Sequence, residues 1–207
     1  SASHDLRAPL TSMAGLIHLA QRDPAEAQNY LLLMHERLKV MDNYIKEIVE
    51  YSRNARTEVV LTDVPLKALV HEVVHTLKYS TDISKVNIAV QVDDSLKVKT
   101  DGSRLQVILN NLIGNGFKYQ DFTKPHPSLR VWASVDDGRC LIHIEDNGIG
   151  IKPEHHNRIF EMFYRANDTA AGSGLGLYIA KEAADKLGST ITFVSEYGQG
   201  SIFTVSL

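Results

Sequence analysis

Apolar residues recur along this chain at two different periods. From Leu31 they fall at Leu31, Met34, Leu38, Met41, Ile45 and Ile48, stepping by 3, 4, 3, 4 and 3. Upstream, Leu6, Leu10, Met13, Ile17 and Ala20 step by 4, 3, 4 and 3. Both are heptad seams, and each predicts a helix with one apolar stripe. Between them, Asp23-Pro24-Ala25-Glu26 reads as an N-cap, a proline at N1 and a glutamate at N3, which starts the second helix. The segment is a helical hairpin. Two helices with one seam each bury little on their own, and Leu33, Val40, Tyr44 and Tyr51 widen the second helix's apolar face. A homodimeric four-helix bundle would cover it. The second helix has room for about 30 residues, roughly 45 Å, against about 20 for the first. The first helix is therefore expected to be cut short at its N-terminus.

From about residue 58 the pattern alternates between period two and period 3.6. Strands are predicted at 58–62, 87–92 and 96–99, the last two around an Asp93-Asp94 turn. Asp63-Val64-Pro65 is expected to open a helix carrying Leu66, Leu69, Val70, Val73, Val74 and Leu77 inward. A second helix is predicted over 101–119, with Leu105, Ile108, Leu109, Leu112 and Ile113 on its buried face. Residues 129–135 and 140–145 form a hairpin over Asp136-Asp137-Gly138. A helix over 173–187 stops at Gly188, and a last hairpin joins 190–195 to 200–206. The expected fold is α+β: a helical hairpin, residues 1–57, then an α/β sandwich, residues 58–207, with helices on one face of a mixed sheet.

Composition narrows the function classes. Hydrophobic residues make up 43% and charged residues 23%, ordinary values for a globular chain, and the net charge of -3 offers no basic face for nucleic acid. No apolar run approaches the roughly 20 residues that span a bilayer, so no membrane contact is expected of this segment. The single cysteine, Cys140, sits in the apolar run Cys140-Leu141-Ile142-His143-Ile144 and reads as a buried hydrophobe. The expected compartment is cytoplasmic, with any membrane anchor lying outside this sequence. The chain begins with Ser1 and reads as a fragment.

Three segments carry candidate chemistry. Asp146-Asn147-Gly148-Ile149-Gly150 follows a predicted strand; its glycines permit a sharp turn and close approach to a ligand, and its Asp can accept from an exocyclic amine. Gly172-Ser173-Gly174-Leu175-Gly176-Leu177 heads a helix, where successive N–H groups suit phosphate. Asn111, Asn115 and Lys118 or Tyr119 share one face of the 101–119 helix; amide oxygens suit Mg2+, Lys118 suits phosphate and Tyr119 can stack on a base. Gly114 and Gly116 inside that helix each cost about 1 kcal/mol relative to Ala, so something must approach there. Other candidates read as bland. His155-His156 looks like a solvated pair, His71 and His75 lack a third ligand, and Trp132 and His143 are packing residues.

In this order the three segments resemble the GHKL ATPase superfamily and, within it, the sensor histidine kinases. The N box looks like Asn111 to Tyr119, and the two glycine boxes like Asp146 to Gly150 and Gly172 to Leu177. The F box looks like Ile159 to Arg165, and Ser3-His4-Asp5-Leu6-Arg7-Ala8-Pro9-Leu10-Thr11 looks like the H box that carries the phosphoacceptor. The resemblance implies that Asp146 binds the adenine amine while Tyr119 and Ile149 or Ile151 flank the base. It implies that Asn115 ligates Mg2+ with Asn111 in support, and that Lys118 and Arg165 touch phosphate. Gly172, Gly174, Leu175, Gly176 and Leu177 would border the triphosphate, with Gly148 and Gly150 shaping the base site and residues 152–171 forming a lid.

His4 falls about 200° from the seam residue Leu6 and is expected to face outward with Thr11 and His18. It would take the γ-phosphoryl of ATP, with Asp5 accepting its proton or fixing its tautomer. Pro9 should kink the helix below it. The phosphoryl group would pass to an Asp of a response-regulator receiver, as in two-component signal transduction. Relatives that also remove that phosphate carry Thr or Asn four residues after the histidine; here the position is Ala8, so phosphatase activity is expected to be weak. A non-catalytic ATP-binding scaffold is disfavoured by the presence of His4, Asn115 and Lys118, and a gyrase- or chaperone-type ATPase by the hairpin.

Overall fold

The computed structural model describes residues 2–80, 85–166 and 173–207. Helix α1 (Ala2–Arg22) and helix α2 (Ala27–Arg56) form the hairpin. The expected cap between them is absent. Asp23 makes no side-chain cap bond, and Pro24–Glu26 form a turn of 3-10 helix, with the Glu26 amide donating to the Asp23 carbonyl at 3.3 Å. Proline's fixed φ starts this tight turn, and the α-helix begins only at Ala27. The seam splits by position. Met13, Ala20, Met34, Met41 and Ile48 are half-buried, whereas Leu10, Ile17, Leu31, Leu38 and Ile45 are about half exposed. One row of each seam meets the sister helix, and the other is open to solvent. Thr11 and His18 are exposed, as expected. The helix continues through Pro9, and the side-chain orientations of His4, Asp5, Ala8 and Pro9 lie outside the described residues.

The remainder is a sandwich. Strand β1 (Thr62–Pro65) leads into helix α3 (Leu66–Ser80); strands β2 (Asn87–Gln91) and β3 (Lys97–Thr100) precede helix α4 (Gly102–Lys118). Strands β4 (Ser128–Asp136) and β5 (Arg139–Asp146), helix α5 (Gly176–Lys186), and strands β6 (Thr190–Glu196) and β7 (Gly200–Ser206) complete it. The main sheet has the order β2-β4-β5-β7-β6, with β2 parallel to β4 and every other pair antiparallel. The β4–β5 turn has positive φ at both Asp137 and Gly138, the geometry that follows the twist of a two-residue hairpin. Leu105, Ile108, Leu109 and Ile113 of α4 are fully buried against Leu129, Val131, Ile142 and Val205 of the sheet. Outward residues such as Arg130 and Val194 are exposed, so the helices cover one face.

Three expectations are corrected. The strand placed at 58–62 lies at Thr62–Pro65, so Asp63, Val64 and Pro65 belong to β1 and not to the opening of α3. β2 and β3 do not pair with each other: β3 pairs with β1 in a separate two-stranded ribbon, and β2 pairs forward with β4. Helix α5 starts at Gly176 rather than Ser173. Cys140 is buried and free, as read. Among the described residues no helix is long and apolar enough to cross a membrane.

Candidate nucleotide site

A cavity of about 610 Å3 lies between α4, the end of β5, segment 152–166, the start of α5 and the side of α2. That volume is ordinary for a small-molecule site. Helix α4 supplies one wall because Asn111, Asn115 and Lys118 share a face. All three line the cavity, with Tyr119 at the helix end. The Asn111 amide donates to the Val107 carbonyl at 2.9 Å, and its oxygen stands 2.7 Å from where a Cβ on Gly176 would be. Gly176 thus lets α5 start against α4. The Lys118 ammonium lies over the Tyr119 ring, 4.7 Å from its centre. The two glycines of α4 need a corrected account. A Cβ on Gly116 would strike the Leu129 side chain at 2.3 Å, so this glycine serves helix–sheet packing, while Gly114 borders the cavity in ordinary contact distance of Leu77.

The floor is Asp146 at the end of β5, 9% exposed. Burial pushes its pKa up to about 6, against the opposing pull of the Gly148 and Ser201 amides and the Lys124 charge. The Gly148 amide donates to its Oδ1 at 2.9 Å. The loop that follows is fixed by backbone. The Ile149 amide donates to the Tyr119 carbonyl at 3.0 Å, and the Gly198 amide donates to the Ile149 carbonyl at 2.8 Å. A Cβ on Gly148 would fall 2.1 Å from the Tyr119 carbonyl oxygen, and one on Gly150, whose φ is +64°, would fall 2.0 Å from that of Glu196. Ile149, Gly150 and Ile151 line the cavity; Gly148 supports them from behind and does not.

At the opposite end, Arg165, Ser173, Gly174, Gly176 and Leu177 line the cavity. Gly174 has φ +76°, and the Phe163 amide donates to its carbonyl at 3.1 Å. Leu175 departs from expectation. It is 1% exposed and packs with Tyr44 and Ile179, away from the cavity, because the chain turns into α5 only after it. Gly172 and residues 167–171 of the expected lid lie outside the described residues. His155 and His156 are not a solvated pair: His155 Nδ1 and the Tyr164 hydroxyl are 2.7 Å apart, and His156 Nε2 lies 3.0 Å from the Ile151 carbonyl oxygen. His155 and Tyr164 both line the cavity.

Helix α2 forms a wall that the sequence did not announce. Tyr44, 6% exposed, donates to the Ser173 carbonyl at 3.3 Å and stacks on Phe163 with ring centres 6.2 Å apart. The Glu47 carboxylate accepts from the Ser173 hydroxyl and borders the cavity. Tyr51 meets Tyr178 of α5 at 5.7 Å. The available signal was Tyr44 and Tyr51, seven residues apart beside the seam. Among the described residues no group of three or more His, Cys, Asp or Glu could hold a metal. The hard oxygen donors that α4 presents to the cavity are amides, those of Asn111 and Asn115 among them, which suit a cation that also takes oxygens from its ligand.

Residues 100–207 match the family of histidine kinase-, DNA gyrase B- and HSP90-like ATPases, and residues 1–56 match the His kinase A phospho-acceptor domain. The aerobic respiration control sensor protein ArcB of Escherichia coli K12 is 31% identical over 99% of this chain, which covers 27% of that protein. The sensor histidine kinase YkoH of Bacillus subtilis is also 31% identical over 99% of the chain, here 45% of the relative. The structure of histidine kinase ThkA in complex with response regulator protein TrrA superposes with a TM-score of 0.74 at 21% identity, over 99% of this chain and 59% of that one. The chain thus spans about a quarter to a half of the curated relatives named here. It belongs to the histidine kinase-, DNA gyrase B- and HSP90-like ATPase family, as a histidine kinase core that joins a phospho-acceptor hairpin to that ATPase fold.

Proposed function

We propose that this chain binds Mg-ATP in the cavity above Asp146, phosphorylates His4, and passes the phosphoryl group to an aspartate of a receiver domain. The observation that carries the reading is the shared wall. Asp146 and Asn115 of the matched ATPase segment face the same cavity as Tyr44 and Glu47 of the phospho-acceptor hairpin. The division at residues 57 and 58 follows the end of α2 at Arg56. The open row of seam residues supports a homodimer.

Asp146 accepts the adenine amine, and Tyr119, Ile149 and Ile151 hold the base. Lys118 and Arg165 meet phosphate oxygens, and the backbone at Ser173, Gly174 and Gly176 borders the phosphates. Asn115, supported by Asn111, would share Mg2+ with the phosphates, where the ion offsets their charge. The His4 imidazole attacks the γ-phosphorus, a P–N bond forms, the bond to the β-γ bridging oxygen breaks and ADP leaves. Asp5 holds the imidazole tautomer or takes its proton. In the second step the P–N bond breaks as a receiver carboxylate takes the phosphoryl group. ThkA, known in complex with a response regulator, supports this class of partner. Ala8, four residues after His4 in the sequence, carries a methyl group that cannot orient water as Thr or Asn can, so removal of phosphate from the receiver is slow.

Incubation with γ-labelled ATP tests the reading. Acid-labile, base-stable label should appear on the protein and vanish in His4→Gln. Folded, ATP-binding protein that takes no label would sink the kinase assignment in favour of a scaffold, and released phosphate without label would indicate an ATPase. Rapid loss of phosphate from a phosphorylated receiver would overturn the role given to Ala8.

A further inference from the structure

Lys124 belongs to none of the motifs above, yet it touches the floor of the site at three points. Its ammonium donates to the carbonyls of Asn147 at 2.6 Å, Gly148 at 2.8 Å and Gln199 at 3.3 Å. An ammonium has three N–H donors, so these bonds occupy all of them. The side chain is presented by a local turn. Asp121 Oδ1 accepts from the Thr123 amide at 3.0 Å and the Thr123 hydroxyl at 2.6 Å, and the Lys124 amide donates to the Asp121 carbonyl at 3.1 Å. Gln120 anchors the segment, donating to the carbonyls of Gly116 at 2.7 Å and Ser128 at 3.1 Å.

The bond to Asn147 has a particular geometry. The carbonyl of Asn147 and the amide of Gly148 are two ends of one peptide group. Lys124 pulls on the oxygen end, and the N–H end donates to Asp146 Oδ1 at 2.9 Å. A cation on the carbonyl polarises the peptide and strengthens the donation at its other end.

We propose that Lys124 is a positioning residue for base recognition: through the Asn147–Gly148 peptide it holds the glycine loop in place and presents Asp146 as the hydrogen-bond acceptor for the nucleotide base. The inference rests on the reading of Asp146 given above. Burial raises the Asp146 carboxyl to about 6, and the Gly148 and Ser201 amides and Lys124 pull against that rise. The charged groups that act on it are Lys124 and Glu145, the latter paired with Arg130 of β4 at 2.7 Å. α4 presents uncharged Gly116 toward it, with Lys118 drawn over Tyr119, and β7 presents Ser201. Without the ammonium the carboxylate is harder to keep charged, and at neutral pH more of it carries a proton and becomes a weaker acceptor for the base.

The test measures affinity for a non-hydrolysable ATP analogue between pH 5 and pH 8 by calorimetry, in the wild-type chain, Lys124→Met, Lys124→Arg and Asp146→Asn. Ionisation of the analogue is common to all four and cancels on comparison. Lys124→Met should weaken binding about tenfold at pH 7.5 and move the pH midpoint of binding upward by about one unit. Lys124→Arg should restore the midpoint. Should Lys124→Met not fold, Lys124→Gln serves in its place. Unchanged affinity, or weaker binding with an unmoved midpoint, would overturn the role of Lys124 while wild-type binding and its loss in Asp146→Asn leave the base site standing. If Asp146→Asn binds like the wild type, the reading of Asp146 itself fails.

Discussion

Asp101 at the head of α4 and Asp146 at the end of β5 are both buried, 4% and 9% exposed, and burial pushes the pKa of each upward. At Asp101 the push is outweighed. Its Oδ1 accepts from the Ser103 hydroxyl at 2.6 Å and from the Ser103 and Arg104 amides at 3.0 and 3.2 Å. Its Oδ2 accepts from the Val60 amide at 3.1 Å and the Arg104 guanidinium at 2.5 Å. The carboxyl is held down at about 2. Asp146 has two backbone donors and one cation that does not bond it directly, burial wins, and it rises to about 6. A carboxylate draws about four hydrogen bonds. Asp101 has its complement from the protein and is structural, whereas Asp146 keeps acceptor capacity on the cavity side, where a ligand can supply the missing donor.

The sharpest way to break this contrast is substitution. Asp101→Ala leaves Arg104 buried without its anion and should cost about 3–5 kcal/mol, lowering Tm by on the order of 10 °C in a thermal melt. Asp146→Asn should weaken ATP-analogue binding about a hundredfold while Tm at pH 8 holds or rises, since a buried charge is removed. Equal losses of stability in the two variants would erase the distinction.

The most gradual effect is in pH. Asp101, lowered to about 2, contributes stability above its unfolded value of about 3.9, and that contribution is lost as pH falls toward 2. Asp146, raised to about 6, behaves oppositely: its ionised form costs stability above pH 6, and the cost is relieved as pH falls from about 6 to about 4. Over that window ligand affinity should fall by up to about tenfold per pH unit while the Asp146 contribution to Tm rises. Asp146→Asn should flatten both trends, and parallel melting and binding titrations would reveal it.

Much of this was legible in the chain. α4 was read to within a residue at each end because Asp101 is a strong cap and Leu105, Ile108, Leu109 and Leu112 keep the period without a break. The glycine loop was found because its residues are contiguous. Pairing was not legible. β3 returns to β1, and β2 reaches forward to β4 some 40 residues on, so two adjacent strand patterns that looked like a hairpin belong to different sheets. The early strand was misplaced because Val59, Val60 and Leu61 are apolar yet exposed. In the site, Asn111, Asn115, Lys118, Tyr119 and Asp146 converge as expected. Glu47 and Lys124 were missed because each reaches the site across a tertiary contact, with no spacing to mark it; the spacing of Tyr44 and Tyr51 marks an apolar face but not what covers it.

The two glycines of the floor are demanded by the protein's own backbone, Gly148 by the Tyr119 carbonyl and Gly150 by that of Glu196. Their conservation in any lineage would therefore report that the loop still folds, and nothing about whether a ligand is still bound. A descendant of this chain that had abandoned its nucleotide would have to keep Gly148 and Gly150, yet selection for stability would favour the loss of Asp146. Among degenerate relatives, the aspartate and not the glycine signature separates the living site from the fossil.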